Sequence, residues 1–537
     1  MTYLMKHQLL IFLTSLLTTG IMTVSCREDE TSAGMEGTTF VSNISISGMA
    51  ERYICTSYVG EVLSIEPSVT SGYDENELHY RWSLLNAQTG NVEDGDTILP
   101  VIISEARNLY YEVAIAPGVY QLRLEVSADN GYRVYSTASL NVVTDFSQGF
   151  YILKEMPDRT TELDLITIHD DLMENIIQAT QGSSISGTPL QMNISYNCFY
   201  INPDNDRMEG TNKLNITTQE GGIYIYRTND MLRIFDRSNL KYDLMETDEH
   251  PYTIIRNAAD NEILFTSQGV YTVRGKGDFS EAAGSANSGR FGYPETECGT
   301  SKFLYHDVNS FGCIVFWDEK NRSVMCTNYN VMTDVLTDNS LGGKEETEQQ
   351  ENFTCLDAGI CNSSGTGHLI LSDTKNGTRY MYTTKSENMQ VYYTGRKQIA
   401  SSAHIHRSRL FATCGIQGNY VYCIDNNKLY GCNLNSASLA EIEMPLSGIP
   451  SGETINFITN QWWDSSFVSE NNFDYLIIGT QQGSKYTLYF YKMTGGVPDG
   501  EPVKIYQGTG TVRAVRFLSQ NFDPNDYYFS YPVCPNY

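Results

Sequence analysis

The chain has 537 residues, more than one hydrophobic core usually supports, so two or more domains are expected. Its 64 Asp and Glu against 36 Lys and Arg give a formal charge of −28. Nucleic-acid phosphates demand a basic surface, so this balance excludes them as partners. Beyond the first 25 residues, no apolar stretch is long enough for a membrane-spanning helix.

At the start, Lys6 and His7 are followed by an apolar run over residues 9–24, interrupted by Thr, Ser and Gly. The run is shorter than the roughly 20 apolar residues of a comfortable spanning helix. A basic start, a short apolar core and small residues before a cut point predict a signal peptide over residues 1–25. Thr23-Val24-Ser25-Cys26 resembles the lipobox of bacterial lipoproteins, with Thr23 where Leu is usual. That resemblance implies cleavage before Cys26 and a diacylglycerol on its sulfur. Several acyl chains on one residue anchor far more firmly than a single chain. The next residues, Arg27, Glu28, Asp29 and Glu30, resemble the acidic export signal of Bacteroidetes surface lipoproteins. By charge alone they read as a solvated tether, and residues 26–38 are expected to form a lipidated flexible linker.

Residues 39–144 alternate apolar and polar side chains in short runs: at 62–67, at 79–84 around Trp82, at 119–126, and at 132–143 after a turn at Asp129-Asn130-Gly131. About seven short strands and a mid-domain Trp predict an immunoglobulin-like β-sandwich with Trp82 in its core. Trp82 has no flanking Cys pair, and residues 118–131 read Gly-x-Tyr-x-Leu-x-Leu-x-Val-x-Ala-x-Asn-Gly. Those features resemble the polycystic-kidney-disease (PKD) type of sandwich.

Residues 145–537 repeat a unit of apolar strand, polar turn and Tyr-rich strand. It begins at 149–155 and recurs at 223–226, 262–273, 313–328, 368–382, 409–430 and 475–491. A spacing of about 40 to 60 residues predicts a β-propeller, whose four-stranded blades must stack to bury their faces. The length fits about seven blades, with six or eight close behind. Tyr527, Tyr528 and Phe529 are expected in the closing strand. The fold class is therefore all-β.

Of twelve cysteines one is the lipidation site, and the odd remainder leaves at least one thiol unpaired. Cys313 and Cys326 flank an expected hairpin turning at Glu319-Lys320, in which they face each other; poor turn chemistry leaves a slipped register open. Cys355 and Cys361 are candidates to close a short loop. The absence of a CxxC pair argues against a zinc ribbon or thioredoxin-type site.

No catalytic residue is nominated. There is no HExxH, and residues 182–187 miss the spacing of a nucleophile elbow. Residues 372–378 resemble the structural Asp-box turn of sialidase propellers. His404 and His406 would share a face on a strand, as metal ligands might, but lack a third ligand, so no metal is assigned. Asp204, Asp206 and Glu209 are a weak structural-calcium cluster without the EF-hand pattern, read first as a polar turn. Trp462 and Trp463 lie in a polar stretch between expected strands. Packing between blades is the preferred reading, and an exposed platform for a sugar ring or peptide side chain is the sharper one.

Taken together, Cys26 with its acidic followers, the Trp82 sandwich and the strand at 149–155 resemble the PKD-like lipoprotein family of Bacteroidetes. The resemblance implies a non-catalytic, surface-exposed outer-membrane lipoprotein. It would be accessory to a SusC/SusD-like TonB-dependent transporter and its sister lipoproteins, binding an oligosaccharide or peptide, docking on the transporter, or both. A surface glycan-active hydrolase or lyase and an adhesin are the alternatives, because fold alone does not decide function.

Overall fold

Strands make up nearly every element of the computed structural model, which describes residues 44–56, 62–86, 100–115, 118–202, 207–256, 262–273, 288–292, 294–296, 298–307, 313–327, 333–335, 350–387, 390–463 and 472–519. Cys26 to Glu30, Asp204, Asp206 and Tyr527 to Phe529 lie outside the described residues. The chain is all-β and divides into two compact units, with the main change-over between Asn141 and Val142.

The first unit holds a five-stranded antiparallel sheet in the order Arg52–Thr56, Arg133–Val143, Gly118–Ala128, Leu78–Asn86, Val101–Ser104. Two-stranded pairs, Ser45–Ser47 with Ser68–Thr70 and Val62–Ile65 with Leu109–Glu112, accompany it. Leu63 and Ile65 are buried while Val62 and Ser64 are exposed, the alternation that one-sided burial of a strand demands. Trp82 is fully buried with Leu109, Leu122, Leu124 and Leu140, and its indole N–H donates to the Ala106 carbonyl at 3.0 Å. A large ring with its one polar atom satisfied is a low-cost core residue.

Among the described residues the second unit is a succession of seven antiparallel sheets, six built from consecutive strands. Five run from Pro189–Asn202 to Arg233–Asp236, from Pro251–Arg256 to Pro294–Thr296, from Thr300–Asp307 to Thr333–Val335, from Phe353–Cys361 to Gln390–Ile399, and from Phe411–Thr413 to Glu441–Met444. The last begins with Thr454–Trp463 and includes Phe473–Gln482, Lys485–Thr494 and Lys504–Thr509. The first differs. Gly149–Glu155, Thr161–Thr167 and Leu172–Met173 are joined by Thr511–Leu518, which pairs with Gly149–Glu155 across the whole unit. Thr511–Leu518 also packs against both Pro189–Asn202 and Thr454–Trp463, so the succession returns on itself.

Neighbouring sheets are clasped by buried polar contacts as well as apolar ones. Lys213 Nζ lies 2.9 Å from Glu262 in the next sheet, Asn193 donates to the Ile254 carbonyl, and Tyr486 donates to Asp164 at 2.6 Å across the first and last sheets. Each satisfied pair avoids the cost of an orphaned buried polar group, and each needs its own neighbour to do so.

The hairpin at 313–327 corrects the expected cysteine pairing. Cys326 lies opposite Val315, and Cys313 faces Asp307 on the other side. Asp318 accepts from the backbone N–H groups of Lys320 and Asn321, fixing a four-residue turn at 319–322 with Arg322 left-handed. The side-chain cap, absent from a two-residue turn, moves the register by two. Cys355 and Cys361 close no loop: they sit on one strand, Phe353–Cys361, about 20 Å apart at the rise of an extended chain.

Candidate functional site

Thr511–Leu518 and the first strands of five other sheets share an irregularity. In the first sheet the pairing slips at Arg513, and elsewhere it slips at Leu190, Tyr252, residues 301–303, Leu356 and Asn456. A β-bulge leaves its extra residue out of the ladder and re-aims the side chains beside it. Leu190, Tyr252, Leu356 and Asn456 are accordingly half-buried, and Arg513 is exposed. The bulged residues have nothing in common as amino acids, so no sequence signal could have announced them.

Residues of Pro189–Asn202, Thr300–Asp307, Phe353–Cys361, Phe411–Thr413, Thr454–Trp463 and Thr511–Leu518 line a cavity of about 190 Å³. Phe303, Phe411 and Phe457 give it aromatic walls, while Gln191, Asp357, Thr459, Arg513 and Arg516 give it polar ones. The Asp357 carboxylate lies 3.0 Å from His368 Nε2. Burial raises its pKa, and His368 only partly offsets that rise. Arg516 is buried and donates to the Val515 carbonyl at 2.9 Å, whereas Arg513 pairs with Glu155. Gln191 donates to the Lys302 carbonyl, leaving its own buried amide oxygen without a protein partner. The set offers acceptors, donors and ring faces to one small volume.

The aromatic platform, the sharper of the two readings of Trp462 and Trp463, is not formed. Trp462 and Trp463 are 9% and 4% exposed, both within the strand Thr454–Trp463 rather than between strands. Trp463 packs edge-on against Phe517, and Trp462 lies so close to Gly415 that a Cβ there would sit 1.9 Å from its indole nitrogen. Thr459, Asn460 and Gln461 precede the pair in the same strand. All three are buried, with Asn460 donating to Asp474 at 2.7 Å and accepting from the Gly415 N–H.

His404 and His406 lie on one helical turn, His404–Arg407. His404 Nδ1 is 2.8 Å from Asp425, which Arg407 also binds, and the ring stacks on Tyr430 at 3.6 Å. Glu209 of the calcium cluster accepts from Tyr200, Asn202 and Arg227. Asp373 caps its own turn, accepting from the Lys375 N–H and the Asn376 amide.

His306, on the strand Thr300–Asp307, was not singled out by sequence. Burial pushes its pKa down to about 4. The unfolded chain therefore takes up a proton first, and stability should fall as pH drops from about 6.5 to 4. Urea midpoints measured over that range should fall by the equivalent of about 3 kcal/mol at most. The slope should shrink in His306→Gln; an unchanged slope would mean that His306 titrates normally.

Residues 26–189 match the model of the PKD-like family, a match that continues past Val142 into the second unit. No curated protein matches the chain. Among solved structures, a DUF4784 family protein of Bacteroides caccae aligns at 9% identity and a TM-score of 0.29, covering 76% of this chain and 96% of that one. A protein from Lactobacillus plantarum aligns at 9% identity and a TM-score of 0.36, covering 69% of this chain and all of that one (100%). BamB from Moraxella catarrhalis aligns at 8% identity and a TM-score of 0.27, covering 61% and 88%. At such scores these likenesses carry no argument about function.

Proposed function

We propose that the chain is a lipid-anchored, non-catalytic binding protein of the outer cell surface. In this reading a PKD-type sandwich at 39–144 precedes a propeller of about seven blades at 145–537. The protein serves a SusC/SusD-like TonB-dependent uptake complex, capturing an oligomeric ligand or docking on the transporter. One observation carries the binding role: residues of six strands line a cavity with both aromatic and hydrogen-bonding walls. A propeller is further supported by the return of Thr511–Leu518 to the first sheet. The address rests on Cys26 and the acidic residues after it.

Co-purification from gently solubilised outer membranes tests the assembly: a TonB-dependent barrel should accompany the protein, and its consistent absence would remove the transporter role. The anchor has its own test. Cys26→Ala should leave the protein soluble in the periplasm or medium, and a variant that stays membrane-bound through a carbonate wash would overturn the lipoprotein reading.

The Asp357–His368 pair gives the hydrolase alternative a specific observation. Glycoside hydrolysis needs a second carboxylate about 5 to 10 Å away, and Asp357 is the one acid among the described residues lining the cavity. Binding without turnover is the better fit to this lining.

A further inference from the structure

Building on the reading of the cavity as a ligand site, we infer that it takes a neutral saccharide, seating one glycosyl unit between the Phe303, Phe411 and Phe457 rings and the polar groups of Asp357 and Arg516. Size is the first argument. About 190 Å³ lies below the roughly 300 to 1,000 Å³ of sites that enclose a drug-sized molecule, so one ring enters and the rest of an oligomer stays outside.

Polarity is the second. Asp357 and Arg516 are both more than nine-tenths buried, and Gln191 presents a buried oxygen that no protein group meets. An apolar occupant would leave the Gln191 oxygen stranded, at the cost that any unpaired buried acceptor incurs, and would use neither the Asp357 nor the Arg516 charge. A ring bearing hydroxyls meets all of them, because each hydroxyl both donates and accepts: it donates to Asp357 and Gln191 and accepts from Arg516. The C–H faces of the same ring lie against the phenyl walls.

Charge is the third argument. The lining sets one carboxylate against guanidinium groups, with Glu155 already paired to Arg513. An anionic unit gains Arg516 but meets Asp357 in the same small volume. A cationic unit meets the reverse. A neutral polyhydroxylated ring uses both signs and opposes neither. The half-buried Phe303 and Phe411 then form the lip over which the following units pass.

The test uses the full-length lipidated protein in detergent micelles, titrated calorimetrically against three probe sets. These are neutral oligosaccharides from partial hydrolysis of starch, xylan and mannan; oligogalacturonates; and tryptic peptides of casein. At least one neutral series should bind. Asp357→Asn, which keeps the side-chain shape, and Phe411→Ala at the lip should each weaken that binding by about tenfold or more, the scale of one lost charge-assisted hydrogen bond or stacking contact. Tight binding of only oligogalacturonates or only peptides, weakened by the same variants, would overturn the saccharide class assigned here and leave the cavity as a ligand site. Binding of a neutral series that both variants leave unchanged would overturn the placement in the cavity. No binding to any probe set would overturn the inference, and co-purification with the transporter would then show whether docking survives as the protein's role.

Discussion

A chain ended at Gly510 is expected to lose cooperative unfolding of its second unit. The removed strand, Thr511–Leu518, pairs with Gly149–Glu155 from Glu155 opposite Thr511 to Gly149 opposite Leu518. It serves two cores at once. Val512 and Val515 pack with Phe150, Ile152, Ile477 and Leu488, while Ala514 and Leu518 pack with Tyr151, Leu153 and Ile194. It also carries inter-sheet hydrogen bonds, with Gln461 accepting from the Phe517 N–H. Burying several aliphatic side chains stabilises by roughly 1.5 to 3 kcal/mol each, so the loss rivals the whole net stability of an ordinary domain. Deletion also uncovers the edge of Gly149–Glu155, and an open apolar strand edge invites aggregation. Far-UV circular dichroism against urea should show a broad transition or insoluble protein. Val515→Asp, which keeps the chain length, should lower the midpoint strongly. A truncated chain with a cooperative transition at the full-length midpoint would show that the closure contributes nothing.

Lys154→Met should destabilise the second unit by about 3 to 5 kcal/mol at neutral pH, because it leaves a carboxylate buried without its cation. Lys154 Nζ lies 2.7 Å from Asp164, and both side chains are fully buried. Asp164 also accepts from Tyr486 and from the Asn175 N–H at 2.9 Å, so it ties the first sheet to the last. Burial already raises the Asp164 pKa against the pull of Lys154. Without the lysine that rise is larger. The folded variant then holds its proton to higher pH than the unfolded chain, so its deficit should shrink as pH falls from neutral and grow as it rises. Adding Asp164→Leu should recover much of the loss, since an apolar pair of similar volume replaces a half-broken ionic one. Urea midpoints of the single and double variants at pH 5 and pH 8 measure this. A single variant as stable as the parent chain would refute the ion pair's importance, and a double variant less stable than the single would point to packing.

The sequence by itself determined the kind of structure and its punctuation. Alternation at Val62–Ile65 and Arg133–Val143 is a local property, because one-sided burial imposes period two on a strand whatever lies opposite; Trp82 and the run Gly149–Glu155, which is buried on both faces, announce themselves by their apolar composition. The recurrence of such strands along the second half belongs to the same class of signal. Tertiary structure alone decided which faces were wanted and which strands line the cavity. Thr459, Asn460 and Gln461 are polar, yet they are core because Gly415 and Asp474 arrive from elsewhere to bond Asn460. Cys313 and Cys326 missed each other because the Asp318 carboxylate capped a longer turn. The bulges fall at residues as unlike as Leu190, Asn456 and Arg513, which no local pattern unites. Periodicity records whether a side chain is buried. The partner it is buried against comes from strands tens or hundreds of residues away, and no local pattern encodes that distance.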